Sequence, residues 1–158
     1  MREQRAGRIL INSSVLGFAA LRFRGSYNAT KFALEGWADT LRLELADSPI
    51  KIVLIEPGPI TTRIRINSLP HFNRWINWQA SPLKNLYENQ LIPRLNAPEN
   101  SPKDRFELPA AAVTKAVLHA CLSARPKIRY RITTATKLAA LFKWALPDWL
   151  WDKLALRL

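Results

Sequence analysis

Apolar residues along this chain follow two rhythms. Residues 8–14, Arg-Ile-Leu-Ile-Asn-Ser-Ser, begin with a β-branched and aliphatic run, which predicts a buried strand ending in small polar residues. From Ser26 to Leu45 the spacing turns helical. Leu34, Trp37, Ala38, Leu41 and Leu45 recur at three- and four-residue steps on one stripe, with Glu35, Asp39 and Arg42 on another face. Ser48-Pro49 ends that helix, because the residue before a proline avoids helical geometry. Residues 50–56, Ile-Lys-Ile-Val-Leu-Ile-Glu, predict a second strand, which Pro57-Gly58-Pro59 breaks. Strand, helix and strand at these lengths make a βαβ unit with parallel strands.

Beyond Pro59 the pattern is less regular. Residues 62–80 read as irregular to helical, carrying Phe72, Trp75, Ile76 and Trp78. Residues 92–109 read as a loop, because they hold Pro93, Pro98, Pro102 and Pro109. Leu108–Ala124 predict a helix with Pro109 in its first turn, and Arg129–Thr133 a short strand. Thr136–Leu146 predict an amphipathic helix, followed by a short one with Asp148 as its cap. There is no internal repeat and no clear linker, so residues 1–158 read as a single domain with a helical tail at 136–158.

Composition narrows the classes. The chain has 158 residues, 48% of them hydrophobic and 23% charged, which is ordinary for a globular protein. No stretch has the roughly 20 apolar residues of a membrane span, and no apolar signal-peptide core follows the first residues. The expected location is therefore cytoplasmic. One cysteine, Cys121, excludes an internal disulfide framework and reads as a small core residue within its helix. His71 and His119 have no cysteine pair near them, which argues against a zinc site. The net charge of +12 is scattered, without the runs of a basic tail, and no motif for a nucleic-acid partner accompanies it.

The residues that point to chemistry are Ser14, Tyr27 and Lys31. Tyr27 and Lys31 stand four apart on a helical segment and so share a side of it. An ammonium beside a phenol favours the phenolate, and such a pair can exchange a proton with an alcohol or carbonyl. Ser14 closes the first strand, the end at which open parallel sheets place their ligands. A Tyr-x-x-x-Lys spacing alone also describes a half-exposed tyrosine beside a solvated lysine. Its context is Asn12-Ser13-Ser14 thirteen residues before Tyr27, Asn28-Ala29-Thr30 after it, and Pro57-Gly58-Pro59-Ile60-Thr61-Thr62 closing the next strand.

In these residues, from Gly7 to about Thr62, the sequence resembles the short-chain dehydrogenase/reductase family, and its hydroxysteroid and retinol dehydrogenase-like branch in particular. The resemblance implies an α/β fold, the C-terminal part of a Rossmann-like doubly wound parallel sheet. It implies an oxidoreductase that moves a hydride between NAD or NADP and an alcohol or carbonyl. In that family a serine orients the substrate oxygen, a tyrosine is the acid or base, and a lysine tunes the tyrosine and holds the nicotinamide ribose. The matching residues are Ser14, Tyr27 and Lys31, with Ser13 as the rival for the serine role. The turn at Pro57, Gly58, Ile60 and Thr62 matches the segment that lines the nicotinamide. Residues 62–108 match the variable substrate loop, and their aromatics suit an apolar substrate or pack the local helices. The complete enzyme is expected to be a homo-oligomer.

The departure is large. Only Gly7, Gly17, Gly25, Gly36 and Gly58 are present, so the family's Thr-Gly-x-x-x-Gly-x-Gly phosphate loop cannot be written anywhere. The Asn-Asn-Ala-Gly motif and the catalytic asparagine are also absent. The chain is therefore expected to be the C-terminal part of a longer enzyme and to be inactive alone. The competing expectations are a non-catalytic remnant serving as an interaction module, or a basic surface binder. The tail carries Trp144, Trp149 and Trp151 among Lys137, Lys143, Lys153 and Arg157. It suits either a membrane surface or, more simply, a helix whose apolar face covers the sheet or a subunit interface.

Overall fold

A computed structural model describes residues 1–98, 102 and 104–157. Residues 99–101 and 103 of the expected loop over 92–109, and Leu158 of the tail, lie outside the described residues. The chain divides into two compact units, Met1–Ile60 with Phe106–Leu158, and Thr61–Arg105.

The first unit is built on three parallel strands in the order β1-β2-β3, namely Gly7–Asn12, Ile50–Glu56 and Arg129–Arg131. The register pairs Gly7 with Ile50 and Asn12 with Ile55, then Leu54 with Arg129 and Glu56 with Arg131. Helix α1, Gly25–Glu44, joins β1 to β2 as the βαβ pattern predicts. The α/β class and the parallel sheet are both present.

Alternation along β2 explains its near-total burial. Ile50, Ile52 and Leu54 join Ile11 of β1 and pack against Ala38 and Leu45, with Leu34 and Leu41 at the margin. Val53 and Ile55 face the other way, onto Ala120 of helix α5, together with Tyr130 of β3. That helix spans Ala111–Leu122. A strand covered on both sides reads as a continuous apolar run, as β2 does.

Several expectations shift. Trp37 belongs to the predicted stripe but is 53% exposed, while Glu35, predicted on another face, is buried. Cys121 is exposed, because the α5 positions that face the sheet are Val113, Ala116, Val117 and Ala120. Helix α5 starts at Ala111, so Pro109 precedes its first turn.

Thr133 caps α6, Thr134–Ala145, by accepting from Thr136 N at 3.2 Å. Helix α7, Asp148–Ala155, is preceded by Pro147, so Asp148 is its first residue and not its cap. Of the tail tryptophans Trp151 is buried, whereas Trp144 is 85% and Trp149 62% exposed. Within the described residues, then, the sheet unit covers only one of the three.

In the second unit α2, Ile64–Trp75, is followed by short helices α3, Lys84–Leu86, and α4, Ile92–Leu95, with a π-helical turn at Tyr87–Leu91 between them. Phe72 meets Tyr87 with ring centroids 6.3 Å apart, and Arg74 stacks on the exposed Trp75. The helices at 84–95 are absent from the sequence reading, since Pro82 and Pro93 mask their period. Among the described residues no helix is long and apolar enough to cross a membrane. The second unit leaves the sheet at Ile60 and the chain rejoins it at Leu108. These two residues form a parallel bridge in which Leu108 N donates to Pro59 O at 3.1 Å.

Candidate active site

The C-terminal ends of β1 and β2 are tied together by the main chain. Ser13 N donates to Ile55 O and Val15 N donates to Pro57 O, both at 2.8 Å. Between these bonds the chain turns through a short 3-10 segment, Val15–Gly17. Ser14 is its N-cap, and its Oγ accepts from Leu16 N at 3.1 Å. A short hydroxyl side chain is favoured there because it satisfies a backbone donor the turn leaves open. Ser13, the rival serine, is buried, and its hydroxyl lies beside Gly17 with no hydrogen-bond partner among the described residues.

Helix α1 brings the other two residues. Its first turn has no side-chain cap. It is anchored by Asn28, which is buried and donates from Nδ2 to Leu21 O at 3.2 Å. Tyr27 sits beside that anchor, 36% exposed, and Lys31 follows one turn on, with Nζ 5.5 Å from the centre of the Tyr27 ring. Lys31 Nζ donates to the carbonyl of Asn12 at 2.8 Å. The ammonium is thus held between the end of β1 and the tyrosine. Asn12 enters the site through its main chain, which no residue-type pattern could reveal.

Gly58 lies against the start of α6. A Cβ there would collide with Thr133 Oγ1 and Thr136 Oγ1, which are themselves hydrogen-bonded to each other at 2.9 Å. Pro57, Gly58 and Ile60 therefore sit at the end of β2 in the sheet unit, while Thr62 belongs to the second unit, where its Oγ1 accepts from Ile64 N.

Known proteins resemble this chain in sequence and in fold. The family described as short chain dehydrogenase matches residues 1–71. The uncharacterized oxidoreductase YbbO of Escherichia coli K12 is 40% identical over 150 residues, which cover 94% of this chain and 48% of that protein. The chain belongs to the short-chain dehydrogenase family.

Rat 17-beta-hydroxysteroid dehydrogenase type 6 is 32% identical over 126 residues, covering 78% of this chain and 39% of that protein. Mouse retinol dehydrogenase 16 is 29% identical over 150 residues, covering 94% and 47%. A crystal structure of a short-chain dehydrogenase from Streptomyces avermitilis shares the fold, with a TM-score of 0.59 at 18% identity over 98% of this chain and 51% of that one. This short-chain dehydrogenase chain spans about half the length of the curated relatives it matches.

One cluster beside the site is missing from the sequence reading. Glu56, the last residue of β2, is fully buried. Arg131 Nε donates to its Oε2 at 3.2 Å, and Arg129 Nε lies 3.1 Å from its Oε1. Burial, reinforced by the charge of Glu35, pushes the Glu56 carboxyl up to about 7, against the pull of Arg131 and Arg129. Asp39 goes the other way. Despite some burial, hydrogen bonds from Arg42 and Arg129 hold it below the usual carboxylate value. The only signal in the sequence was a glutamate at the end of an otherwise apolar strand.

Proposed function

We propose that the protein containing this chain is an NAD- or NADP-dependent oxidoreductase acting on an apolar alcohol or carbonyl compound. The observation that carries this reading is the Lys31 ammonium, held by the Asn12 carbonyl at 2.8 Å and lying beside the Tyr27 ring. In this reading Tyr27 gives or takes the proton of the substrate oxygen, and Ser14 holds that oxygen. Lys31 stands beside the tyrosine and hydrogen-bonds the cofactor ribose. Pro57, Gly58 and Ile60 line the nicotinamide, which when bound supplies or accepts the hydride. The donor set fits that end of a dinucleotide: a fixed ammonium, a phenol and a small hydroxyl at the ends of parallel strands. Similarity to a 17-beta-hydroxysteroid dehydrogenase and a retinol dehydrogenase supports an apolar substrate.

The test follows nicotinamide absorbance in the native gene product, with NAD and NADP each offered alongside apolar alcohols and carbonyls. Lys31→Ala is expected to lower kcat/KM about tenfold or more, since a hydrogen bond to a charged group is worth roughly 1.5–3 kcal/mol. Unchanged kcat/KM in Lys31→Ala, or no cofactor turnover at all, overturns the reading.

For the tail we infer a second role, as a peripheral contact with an anionic membrane surface. Trp144 and Trp149 are exposed on α6 and α7, alongside exposed Leu141 and Leu156, and Lys153 stacks over Trp149 at 5.0 Å. Exposed tryptophan beside lysine suits the headgroup boundary. The chain is expected to co-sediment with phosphatidylserine-containing vesicles and not with neutral ones, and Trp144→Ser with Trp149→Ser to abolish this. Equal recovery with both vesicle types refutes the role.

A further inference from the structure

Glu56 and Glu35 meet at Arg129 between α1 and the sheet. The even-numbered side chains of β2 face α1, and Glu56 ends that row, where Glu35 of α1 is also buried. One guanidinium serves both: Arg129 Nε lies 3.1 Å from Glu56 Oε1 and 3.5 Å from Glu35 Oε2. That guanidinium is already committed elsewhere, since Arg129 Nη2 donates to both oxygens of Asp39 at 2.7 and 2.8 Å. Glu56 Oε1, ion-paired to Arg129, and Glu35 Oε1 are both buried without a hydrogen bond among the described residues. A buried carboxylate oxygen in that position is costly, and a neutral carboxyl costs less.

The pair also touches the loop that carries Ser14. Gly17 packs against Glu35, and a Cβ there would come within 2.9 Å of Glu35 Cγ and 2.7 Å of Ser13 Oγ. Arg131, which donates to Glu56, stacks on Phe18 at 5.7 Å. The backbone of Glu56 leads directly into Pro57, whose carbonyl accepts from Val15 N. Residues on both sides of Ser14 thus rest on this cluster.

We propose that Glu56 keeps a proton beside Glu35, and that this protonated carboxyl is a latch positioning the Ser13–Phe18 loop and the Pro57-Gly58 turn against each other. The charged groups facing Glu56 are Glu35 of α1 with Arg129 and Arg131 of β3, and Asp39 and Arg42 act on it through Arg129. Loss of the Glu56 proton puts a second negative charge beside Arg129 Nε and loosens the loop. The proposal rests on the dehydrogenase reading only for what the latch positions. Glu35 and Glu56 are positioning residues and touch no substrate.

The experiment is a carbon-13 NMR titration of the glutamate carboxyls of this chain, which requires no turnover. One carboxyl is expected to titrate near 7 in place of the ordinary 4.5. That resonance disappears in Glu56→Gln. In Glu35→Gln, where the like charge is gone, it moves down toward the ordinary value. Between pH 4.5 and 7 only the folded chain holds the proton, so its thermal midpoint falls as pH rises through that window and levels off above it. Glu56→Gln is expected to flatten this fall. Amide exchange at Val15 and Gly17 is expected to accelerate above pH 7 more in the unaltered chain than in Glu56→Gln. If Glu56→Gln does not fold, the Glu35→Gln shift decides alone. All glutamates titrating near their ordinary value overturn the latch. In that case Lys31-dependent turnover in the native gene product would still stand, so the two readings fail separately.

Discussion

Tyr27→Phe lowers kcat of the native gene product by about 10²–10⁴-fold, the usual worth of one positioned acid or base, with little change in KM or melting temperature. The side chain is 36% exposed in the first turn of α1, so losing its hydroxyl leaves no cavity. The local helix does not depend on that hydroxyl. Thr30 Oγ1 bonds the Tyr27 carbonyl at 2.7 Å, and Asn28 anchors the turn to Leu21. A tyrosine serving only as helix surface would give the opposite pattern, with kcat intact. Steady-state kinetics beside a thermal melt separate the two, and a kcat within twofold of the unaltered protein would remove Tyr27 from the chemistry.

Gly58→Ala destabilises the chain by about 1–3 kcal/mol, the range for overfilling a close-packed site. The new methyl group meets Thr133 and Thr136, both wholly buried, where Thr133 Oγ1 caps α6. Neither threonine can swing outward without breaking the bond between their hydroxyls or the cap, whose loss costs about 1 kcal/mol. For a chain of this size each kcal/mol shifts the melting temperature by about 2–4 °C. Gly36 supplies the control. It lies inside α1 with open space where a Cβ would go, so Gly36→Ala is expected to stabilise by roughly 0.5–1 kcal/mol. Calorimetry on both variants checks the contrast, and an unchanged melt for Gly58→Ala would refute the packing argument.

The βαβ unit was legible because each element satisfies a local rule. An apolar run of strand length, a helical stripe and Ser48-Pro49 need no distant partner to be interpreted. The placement of Ser14, Tyr27 and Lys31 was legible through spacing, since a strand end and one helical turn set where they sit, while their roles rest on the family resemblance. The Glu56 cluster was not legible. Its partner Arg129 lies on a three-residue strand far along the chain, and nothing near Glu56 announces that β3 will lie beside it. Glu35 and Asp39 read as a polar helix face for the same reason, because Arg129 is what makes that face an interior one. Cys121 and Trp37 were placed inward by periodicity. Small residues take the sheet-facing positions of α5, and Ala38 fills the place beside Trp37 in α1.

The bridge between Ile60 and Leu108 has a consequence for how such a protein changes over evolutionary time. Thr61–Arg105 begins after Ile60, and Ile60 is bridged to Leu108, so the residues flanking the segment are held together. Its ends are already closed by the sheet, and each doubling of a flexible segment's length adds only about 0.6 kcal/mol of closure entropy. Sequence can therefore be exchanged, lengthened or enriched in aromatics there while β2 and α5 keep their registry. Under the proposed function, selectivity and chemistry would be inherited through different stretches of the same gene, and the first could drift while the second is held.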